Sequence, residues 1–216
     1  MSEPDSRRCH VIGTTLGGLL LLTLAPVAQA FIVNIGGGLT PSIYLRIGDG
    51  VYSGTFQGGG TPGTGGGINT VSATVPAAAL GNGTSVAMTS NATQATSNYD
   101  GFVLCNVPAQ LYVGGFNRRG LLSGGTGVLS VTAPTNLTNA TGNTIPFSQI
   151  SWTSSGNGEA GAQPFPAGAF SGGVQMLASF PVNTFRESCH TFSYANSAIV
   201  ASGTYTGRVT YTLTVP

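Results

Sequence analysis

The sequence predicts an all-β protein, a β-sandwich or barrel, and three observations support this. Short stretches of alternating apolar and polar residues recur along the chain, separated by turns rich in glycine, proline and asparagine. No stretch of eleven or more residues carries apolar residues at helical spacing, and Pro76–Leu80 is one turn at most. Residues 201–216 alternate more regularly than any other part of the chain. We therefore expect short strands throughout.

The C-terminal stretch is predicted to have two different faces. Its apolar parity holds Tyr205, Val209, Tyr211, Leu213 and Val215. The other parity holds threonines and Arg208. Successive side chains of a strand point to opposite sides, so we expect one apolar face and one hydroxyl face. Such a strand requires a partner strand, and the identity of that partner is the main functional question.

Residues 1–30 have the pattern of a secretory signal peptide. Arg7 and Arg8 precede a short apolar run, and Ala28-Gln-Ala30 is a small-residue cleavage signal. A transmembrane anchor is the alternative, but it requires an apolar run of ~20 residues, longer than this one. The remaining chain, from Phe31, has the length of one domain.

Residues 31–42 are interpreted as an N-terminal extension, and residues 43–216 as a β-sandwich domain. One parity of the extension holds Phe31, Val33, Ile35, Gly37 and Leu39. Pro41 ends this run, and Ile43–Ile47 is the next predicted strand. Asp49-Gly50 is a turn signal, so Val51–Phe56 is predicted as the hairpin partner of Ile43–Ile47.

Two connections are rich in glycine and proline. Gly58–Gly67 lacks the Gly-Lys-Ser/Thr ending of a phosphate-binding loop, and we interpret it as a flexible surface loop. Ser154–Gly173 is a second such connection. The other predicted strands are 68–75, 85–89, 102–106, 110–113, 127–132, 145–153, 173–180, 186–194 and a last one from residue 199. Gly127–Thr132 is partly apolar on both faces and is predicted to be central. Trp152 is predicted to anchor the core.

Charge is sparse, and this excludes some functions. From Phe31 onward there is no lysine, and arginines and carboxylates nearly balance. Nucleic acids and acidic membranes require basic patches, so neither is an expected partner. Arg118-Arg119 is the only local cluster of charge, and we interpret it as a solvated turn. A surface without net charge is less protected against self-association.

Cys105 and Cys189 are predicted to form one disulfide, because Cys9 leaves with the signal peptide and exported chains oxidise paired cysteines. His190 is the only histidine after the signal peptide. It follows Cys189 on a predicted strand, so the two side chains point to opposite faces and would not converge on one metal ion. We interpret His190 as a surface residue beside a structural disulfide. No enzymatic activity, metal or cofactor is expected, although a hydrolase would have to use this histidine.

Residues 202–215 resemble the C-terminal strand of secreted spore-coat-U-like and chaperone–usher pilus subunits. Those families end in a Gly-x-Tyr turn followed by alternating valine and threonine. The matching positions here are Gly203, Tyr205, Val209, Tyr211 and Leu213. The resemblance covers about a dozen residues. It implies an incomplete immunoglobulin-like sandwich whose last strand flanks a groove left by a missing strand.

The resemblance also implies how the groove is filled. Its acceptor strand would present Tyr205, Val209, Tyr211, Leu213 and Val215. A periplasmic chaperone would cover the groove first, and the N-terminal extension of the next subunit would replace it at an outer-membrane usher. The donor residues would be Phe31, Val33, Ile35 and Leu39, with Gly37 where a side chain cannot fit. Backbone hydrogen bonds would supply affinity and alternate side chains would fill pockets.

Some features depart from the family pattern. The two cysteines lie centrally and late, whereas the families often place a pair early. The connections 58–67 and 154–173 are longer than a compact pilus subunit needs. Ile43–Ile47 leaves open whether the extension is donated to a neighbour or folds back into its own domain.

Two functions are therefore carried forward. The first is a secreted structural subunit of a bacterial fibre (pilus or fimbria) or coat, exported to the periplasm and then to the cell surface. The alternative is a self-contained secreted β-sandwich adhesin. Such an adhesin would bind a glycan or host surface through loop aromatics such as Phe165, Phe170 and Tyr99.

Overall fold

The computed structural model describes residues 32–120 and 124–215. The predicted signal peptide and Phe31 lie outside the described residues. Regular structure is almost entirely β, with two short 3-10 turns at Ala77–Ala79 and Phe147–Gln149. Every strand pair is antiparallel. The all-β prediction is confirmed.

Sixteen strands follow one another in the described part of the chain. They are β1 (Ile32–Asn34), β2 (Ser42–Ile47), β3 (Gly50–Ser53), β4 (Thr61–Gly66), β5 (Val71–Ser72), β6 (Val86–Ala87), β7 (Thr89–Ser90), β8 (Leu111–Arg118), β9 (Gly127–Ala133), β10 (Asn136–Thr138), β11 (Thr144–Pro146), β12 (Ile150–Ser155), β13 (Gly168–Ala169), β14 (Gly173–Phe180), β15 (Thr184–Tyr194) and β16 (Thr210–Thr214).

Two sheets form the sandwich. The large sheet has the order β13-β12-β15-β8-β2, and β1 and β6 also pair with the long strand β15. The small sheet has the order β14-β9-β16, so β9 is central as predicted. Three two-stranded sheets, β3–β4, β5–β7 and β10–β11, complete the fold.

The core between the two sheets is built from alternate residues of their central strands. Leu111 and Val113 of β8 face Leu129 and Val131 of β9, and all four are buried. Trp152 is 4% exposed and anchors one end of this core, as predicted. Removing these apolar side chains from water is the main force that holds the sheets together.

The large sheet is covered on its other face as well. Tyr44, Phe116 and Phe185 point away from the small sheet and pack against Phe56 and Tyr99 of the covering loops. Residues 111–117 of β8 are therefore all buried. Only positions 110–113 of this strand were predicted, because alternation disappears when both faces are buried.

The predicted pairing of Val51–Phe56 with Ile43–Ile47 is wrong. Strand β3 pairs instead with β4, which forms inside the Gly58–Gly67 segment that was predicted to be a flexible loop. Glycine permits this close approach, because a Cβ on Gly60 would lie 2.4 Å from the carbonyl oxygen of Ser53. The low-complexity segment is thus an ordered hairpin arm.

Three other strand predictions also need correction. Residues 102–106 form no strand beyond one bridge between Val103 and Thr96, because the N–H groups of Leu104 and Cys105 both donate to Ala95. The 3-10 turn divides residues 145–153 into β11 and β12. The last strand begins at Thr210 rather than residue 199.

Asn196 fastens the 3-10 turn region to the end of β15. It is fully buried with a positive φ of 51°. Its Nδ2 donates to the Ala79 carbonyl (2.8 Å), and its Oδ1 accepts from the Gly81 N–H (2.9 Å). We expect Asn196→Ala to lower the free energy of unfolding by about 2 kcal/mol, since it leaves the buried Gly81 N–H unpaired and removes a hydrogen bond to the Ala79 carbonyl. Urea titration measures this.

Asn196→Gly is the matched control for the backbone conformation. It loses the same hydrogen bonds, but glycine adopts a left-handed conformation without the steric cost that alanine incurs, ~1 kcal/mol. The glycine variant should therefore be more stable than the alanine variant. Equal stability of Asn196→Ala and wild type would contradict this role.

Candidate functional site: the seam between β2 and β16

Strand β16 is an edge strand. It pairs with β9 in unbroken register from Thr210↔Thr132 to Thr214↔Val128. No strand of the described residues pairs with its other side. In an antiparallel strand alternate residues direct their N–H and C=O groups to one side, so half of these groups in β16 lie at a free edge.

The free edge of β16 faces β2 across a gap that we call the seam. Tyr211, Leu213 and Val215 are half-buried on the β16 side, whereas Thr210, Thr212 and Thr214 are exposed. The predicted alternation is therefore confirmed for this strand. On the β2 side the apolar residues are Ile43, Leu45 and Ile47. All three are incompletely buried, and Ile43 is 49% exposed.

The seam is narrower than a complete strand slot. Cα atoms of β2 and β16 come within 8 Å of each other without forming a hydrogen-bonded ladder. A strand inserted between them would separate them by about 10 Å, twice the usual strand spacing. Strand insertion here therefore requires β2 and β16 to move apart.

The other edge of the small sheet is different. Strand β14 has a register shift between Met176 and Ala178, which is a β-bulge. Bulges twist an edge strand and hinder pairing with another chain. Of the two edges of this sheet, the regular edge of β16 is the better acceptor for an added strand.

The predicted donor residues that the structure describes, Val33, Ile35, Gly37 and Leu39, lie elsewhere in the molecule. Strand β1 pairs with β15 of its own chain, in the register Ile32↔Arg186 to Asn34↔Thr184. Val33 and Ile35 pack on the cluster of Tyr44, Phe116 and Phe185. Gly37 is half-buried and Leu39 is fully exposed. Within one chain the structure thus pairs β1 with β15 and not with β16.

Arg118 and Arg119 lie at one end of the seam rather than in a solvated turn, so that interpretation is wrong. A cavity of about 200 Å³ is lined there by Pro41, Ser42, Ile43, Arg118, Arg119 and Val215. Arg118 is the last residue of β8 and pairs with Ser42 of β2. The β2 wall and this arginine end could not be predicted, because both depend on which strands become neighbours.

The predicted disulfide between Cys105 and Cys189 is present, with the two Cα atoms 5.5 Å apart. Both cysteines are buried with Leu104 and Tyr112 on the covered face of the large sheet. The bond attaches the covering segment to β15. Disulfides persist in oxidising compartments, which agrees with an exported chain.

Glu187 is a buried carboxylate on the same face of β15. Tyr112 Oη and Ser97 Oγ donate to it, and so does the N–H of Asn98 (3.0 Å). Burial raises the pKa of Glu187 to about 7, although these hydrogen bonds oppose the shift. Arg46 Nη1 donates to Asn98 Oδ1 (2.7 Å). This network holds residues 97–98 against the sheet, and the carboxylate is sealed from solvent.

The interpretation of His190 as a surface residue is wrong. Its side chain faces the small sheet, is 1% exposed and stacks on Trp152 with ring centroids 5.8 Å apart. Burial lowers the pKa of His190 to about 4, while the backbone of Phe165 weakly favours the protonated form. Neither ring nitrogen makes a hydrogen bond of good geometry. The described residues also contain no group of three or more potential metal ligands.

Two of the three loop aromatics proposed as ligand contacts are not available for binding. Phe165 is fully buried against Phe180, and Phe170 is buried against Trp152. Tyr99 is half-buried and stacks on Phe56. The Gly/Pro-rich connection thus folds onto the core rather than presenting aromatic rings to solvent.

Comparison with protein-family models, curated proteins and solved structures finds no match to this chain. Within residues 32–120 and 124–215, no helix has the length and apolarity to cross a bilayer.

Proposed function

We propose that this chain is a secreted structural subunit of a bacterial surface fibre or coat that joins its neighbours by β-strand addition. The observation that carries the proposal is the free, regular edge of β16 beside a row of half-buried apolar side chains. An added strand would pair the free backbone groups of β16. Its alternate side chains would cover Leu213 and its neighbours.

The same edge explains why other proteins would be required. An unpaired, regular strand edge is an aggregation hazard, and little surface charge opposes association here. A periplasmic chaperone would cover the edge until an outer-membrane usher delivers the next subunit. The candidate donor is residues 31–42 of that subunit, which would first have to leave its own β15. Within this segment Leu39 is fully exposed and a Cβ on Gly36 would meet no atom within 4 Å, so neither position would oppose its release.

A specific observation favours the second candidate, a self-contained adhesin. Strand β1 completes its own domain, because it pairs with β15 and buries Ile35. In that case the extension would never be exchanged. A variant that fixes β1 in place separates the two functions.

Cysteines at Asn34 and Thr184 provide that variant. The N–H of Ile35 donates to Asn183 (2.9 Å), so by alternation Asn34 and Thr184 form a non-hydrogen-bonded pair. The Cα atoms of such pairs are about 4.5 Å apart, within disulfide range. We expect the oxidised double variant to remain monomeric where wild type and Asn34→Cys alone assemble in the presence of a chaperone. Sedimentation velocity measures the difference.

Hydrogen exchange locates the acceptor in the same samples. Outward-facing amides of residues 210–215 should exchange rapidly in the monomer and become protected on assembly. A wild-type chain that remains monomeric, with or without a chaperone, would overturn the fibre proposal and leave the self-contained domain. Assembly of the locked variant would show that the extension is not the donor.

A further inference from the structure

We propose that the outward side of the small sheet is a contact surface for the same surface of a second copy of this chain, and that it joins neighbouring fibres side by side. The contact uses side chains that point out of the sheet, whereas strand addition uses the backbone edge of β16. Bundling rests on the proposed function, because it requires a fibre. The contact between two copies does not.

This surface, which we call the outer face, is built from alternate residues of β14, β9 and β16. Leu129 and Val131 of the central strand β9 are buried in the core between the sheets, so the residues between them point outward. The three threonines of β16 are exposed. In the register of the two strands Thr132 pairs with Thr210, Ser130 with Thr212 and Val128 with Thr214.

Strand β14 adds two apolar side chains to the outer face. Val174 and Met176 pair with Thr132 and Ser130 of β9. Val174 is 75% exposed and Met176 is 68% exposed, more than any other large apolar side chain in the sixteen described strands. A partner that covers them removes apolar surface from water, which favours association.

The chemistry of the outer face favours its own copy as the partner. A hydroxyl both donates and accepts hydrogen bonds, so two such faces can satisfy each other. Ser130 and Thr214 donate long hydrogen bonds of 3.4 Å to backbone carbonyl oxygens of the sheet, and their own oxygens can still accept. Neither copy brings a charge into the contact, because no residue of the outer face is charged. A charged partner would lose hydration there without gaining an opposite charge.

The nearest charge along the β16 segment is Arg208, and it lies beyond the face. It precedes Thr210 by two residues and falls outside the paired register of β16 with β9. The three strands therefore present an uninterrupted neutral surface.

The size of the outer face predicts a weak contact between single subunits. Three strands of five residues cover roughly 14 Å by 17 Å. Stable interfaces bury about 800 Å² on each partner, considerably more than this face offers. Two isolated subunits should therefore associate weakly and reversibly.

A fibre would enlarge the face and repeat it. If an added donor strand turns Val33, Ile35 and Leu39 toward the core, its other parity points outward beside the threonines of β16. That parity is also uncharged, and it consists of Ile32, Asn34, Gly36, Gly38 and Thr40. Many weak contacts between two fibres act together, so fibres should bundle although single subunits hardly associate.

Met176→Glu tests the contact between single subunits. It puts a carboxylate on the outer face, on the strand of the small sheet that lies farthest from the β16 edge. The parent is the oxidised double cysteine variant of Asn34 and Thr184 without a chaperone, so that strand addition does not contribute. In sedimentation equilibrium we expect weak dimers of the parent at high concentration. Met176→Glu should raise their dissociation constant at least about ten-fold, because the contact would bury two like charges.

Ile68→Glu is the matched control. Ile68 is 70% exposed and lies outside the three strands of the small sheet. This variant gains the same charge and loses a similar apolar side chain, so its dimers should match those of the parent. Raising the salt concentration to 1 M should not weaken the parent dimers, because no ion pair holds them together.

The same two substitutions in the wild-type chain test bundling. In electron micrographs of fibres assembled with a chaperone, wild type and Ile68→Glu should form side-by-side bundles. Fibres of Met176→Glu should reach the same length and remain single.

The outcomes separate this inference from the proposed function. Dimers that survive Met176→Glu unchanged, or that dissociate in 1 M salt, would overturn the outer face as the contact. Bundles of Met176→Glu fibres would overturn it as well and leave strand addition intact. Dimers that depend on Met176 in a chain that never forms fibres would support the contact and count against the fibre. A parent that stays monomeric at every concentration, but loses binding to a glycan array on Met176→Glu, would overturn the second copy as the partner.

Discussion

Replacing Cys105 and Cys189 together with alanine is expected to lower the free energy of unfolding by roughly 4–5 kcal/mol. The disulfide closes a loop of 84 residues, so its loss restores much conformational freedom to the unfolded chain. Such a loss is comparable to the whole stability of many small domains. Guanidinium titration of the wild type and the variant measures the difference.

The two single variants identify the source of the effect. Either Cys105→Ala or Cys189→Ala opens the same loop, so each alone should lose nearly as much stability as the double variant. If the stabilisation came from packing around each sulfur, the losses would add instead. Additive losses, or a double variant within about 1 kcal/mol of wild type, would contradict the loop-closure account.

Strands with one buried face were readable from the sequence. Residues 127–132 and 173–180 are both strands at or close to the predicted bounds. Each has one row of side chains in the inter-sheet core and one row that is more exposed. The disulfide was likewise predictable, because only two cysteines lie outside the predicted signal peptide.

Strands buried on both faces were less readable. The Gly114-Gly115 pair within β8 resembles a break in the sequence, yet it lies in the centre of the large sheet. A Cβ on Gly115 would lie 2.2 Å from the carbonyl oxygen of Tyr44 on the next strand. Glycine is required there by close packing, which no local pattern reports.

Only the β16 side of the candidate site could be predicted, because a local pattern reports the faces of a strand and not its neighbours. The alternation of β16 identifies its apolar face, but alternation does not identify the neighbouring strand. Ile43 and Arg118 become part of the seam only because β8 carries β2 to the edge of the large sheet. His190 was misplaced for a related reason. The sequence shows that His190 and Cys189 lie on opposite faces of β15, but it does not show which of these faces meets the small sheet.

Glu187 and His190 are expected to give the folding stability opposite pH dependences that nearly cancel in wild type. Burial raises the pKa of Glu187 from 4.5 to about 7, so the folded state holds a proton that the unfolded chain releases in this window. Its contribution is present below pH 4.5 and is lost as the pH rises to about 7. Burial lowers the pKa of His190 from 6.5 to about 4, so its contribution is present above pH 6.5 and is lost as the pH falls to about 4.

The two variants should reveal these slopes separately. Each group changes stability by roughly 1.4 kcal/mol per pH unit within its window. Between pH 4.5 and 6.5 the windows overlap with opposite sign, so this pair of groups should add almost no slope to wild type. Glu187→Gln keeps an acceptor for the Asn98 N–H, and its stability relative to wild type should rise by up to about 3 kcal/mol from pH 4.5 to 7. His190→Phe keeps the stack on Trp152, and its stability relative to wild type should fall by a similar amount from pH 4 to 6.5.

Differences from wild type isolate the two groups, because all other ionisable residues are common to the three proteins. Asp100, whose charge acts on Glu187, is also unchanged. Urea titrations at half-unit steps from pH 4 to 7.5 give the curves. If the free energies of unfolding of wild type and Glu187→Gln changed in parallel with pH, Glu187 would titrate as it does in the unfolded chain. Its burial among Tyr112, Ser97 and Asn98 would then not be maintained in solution. Parallel curves for His190→Phe would likewise show that water reaches the imidazole between the two sheets.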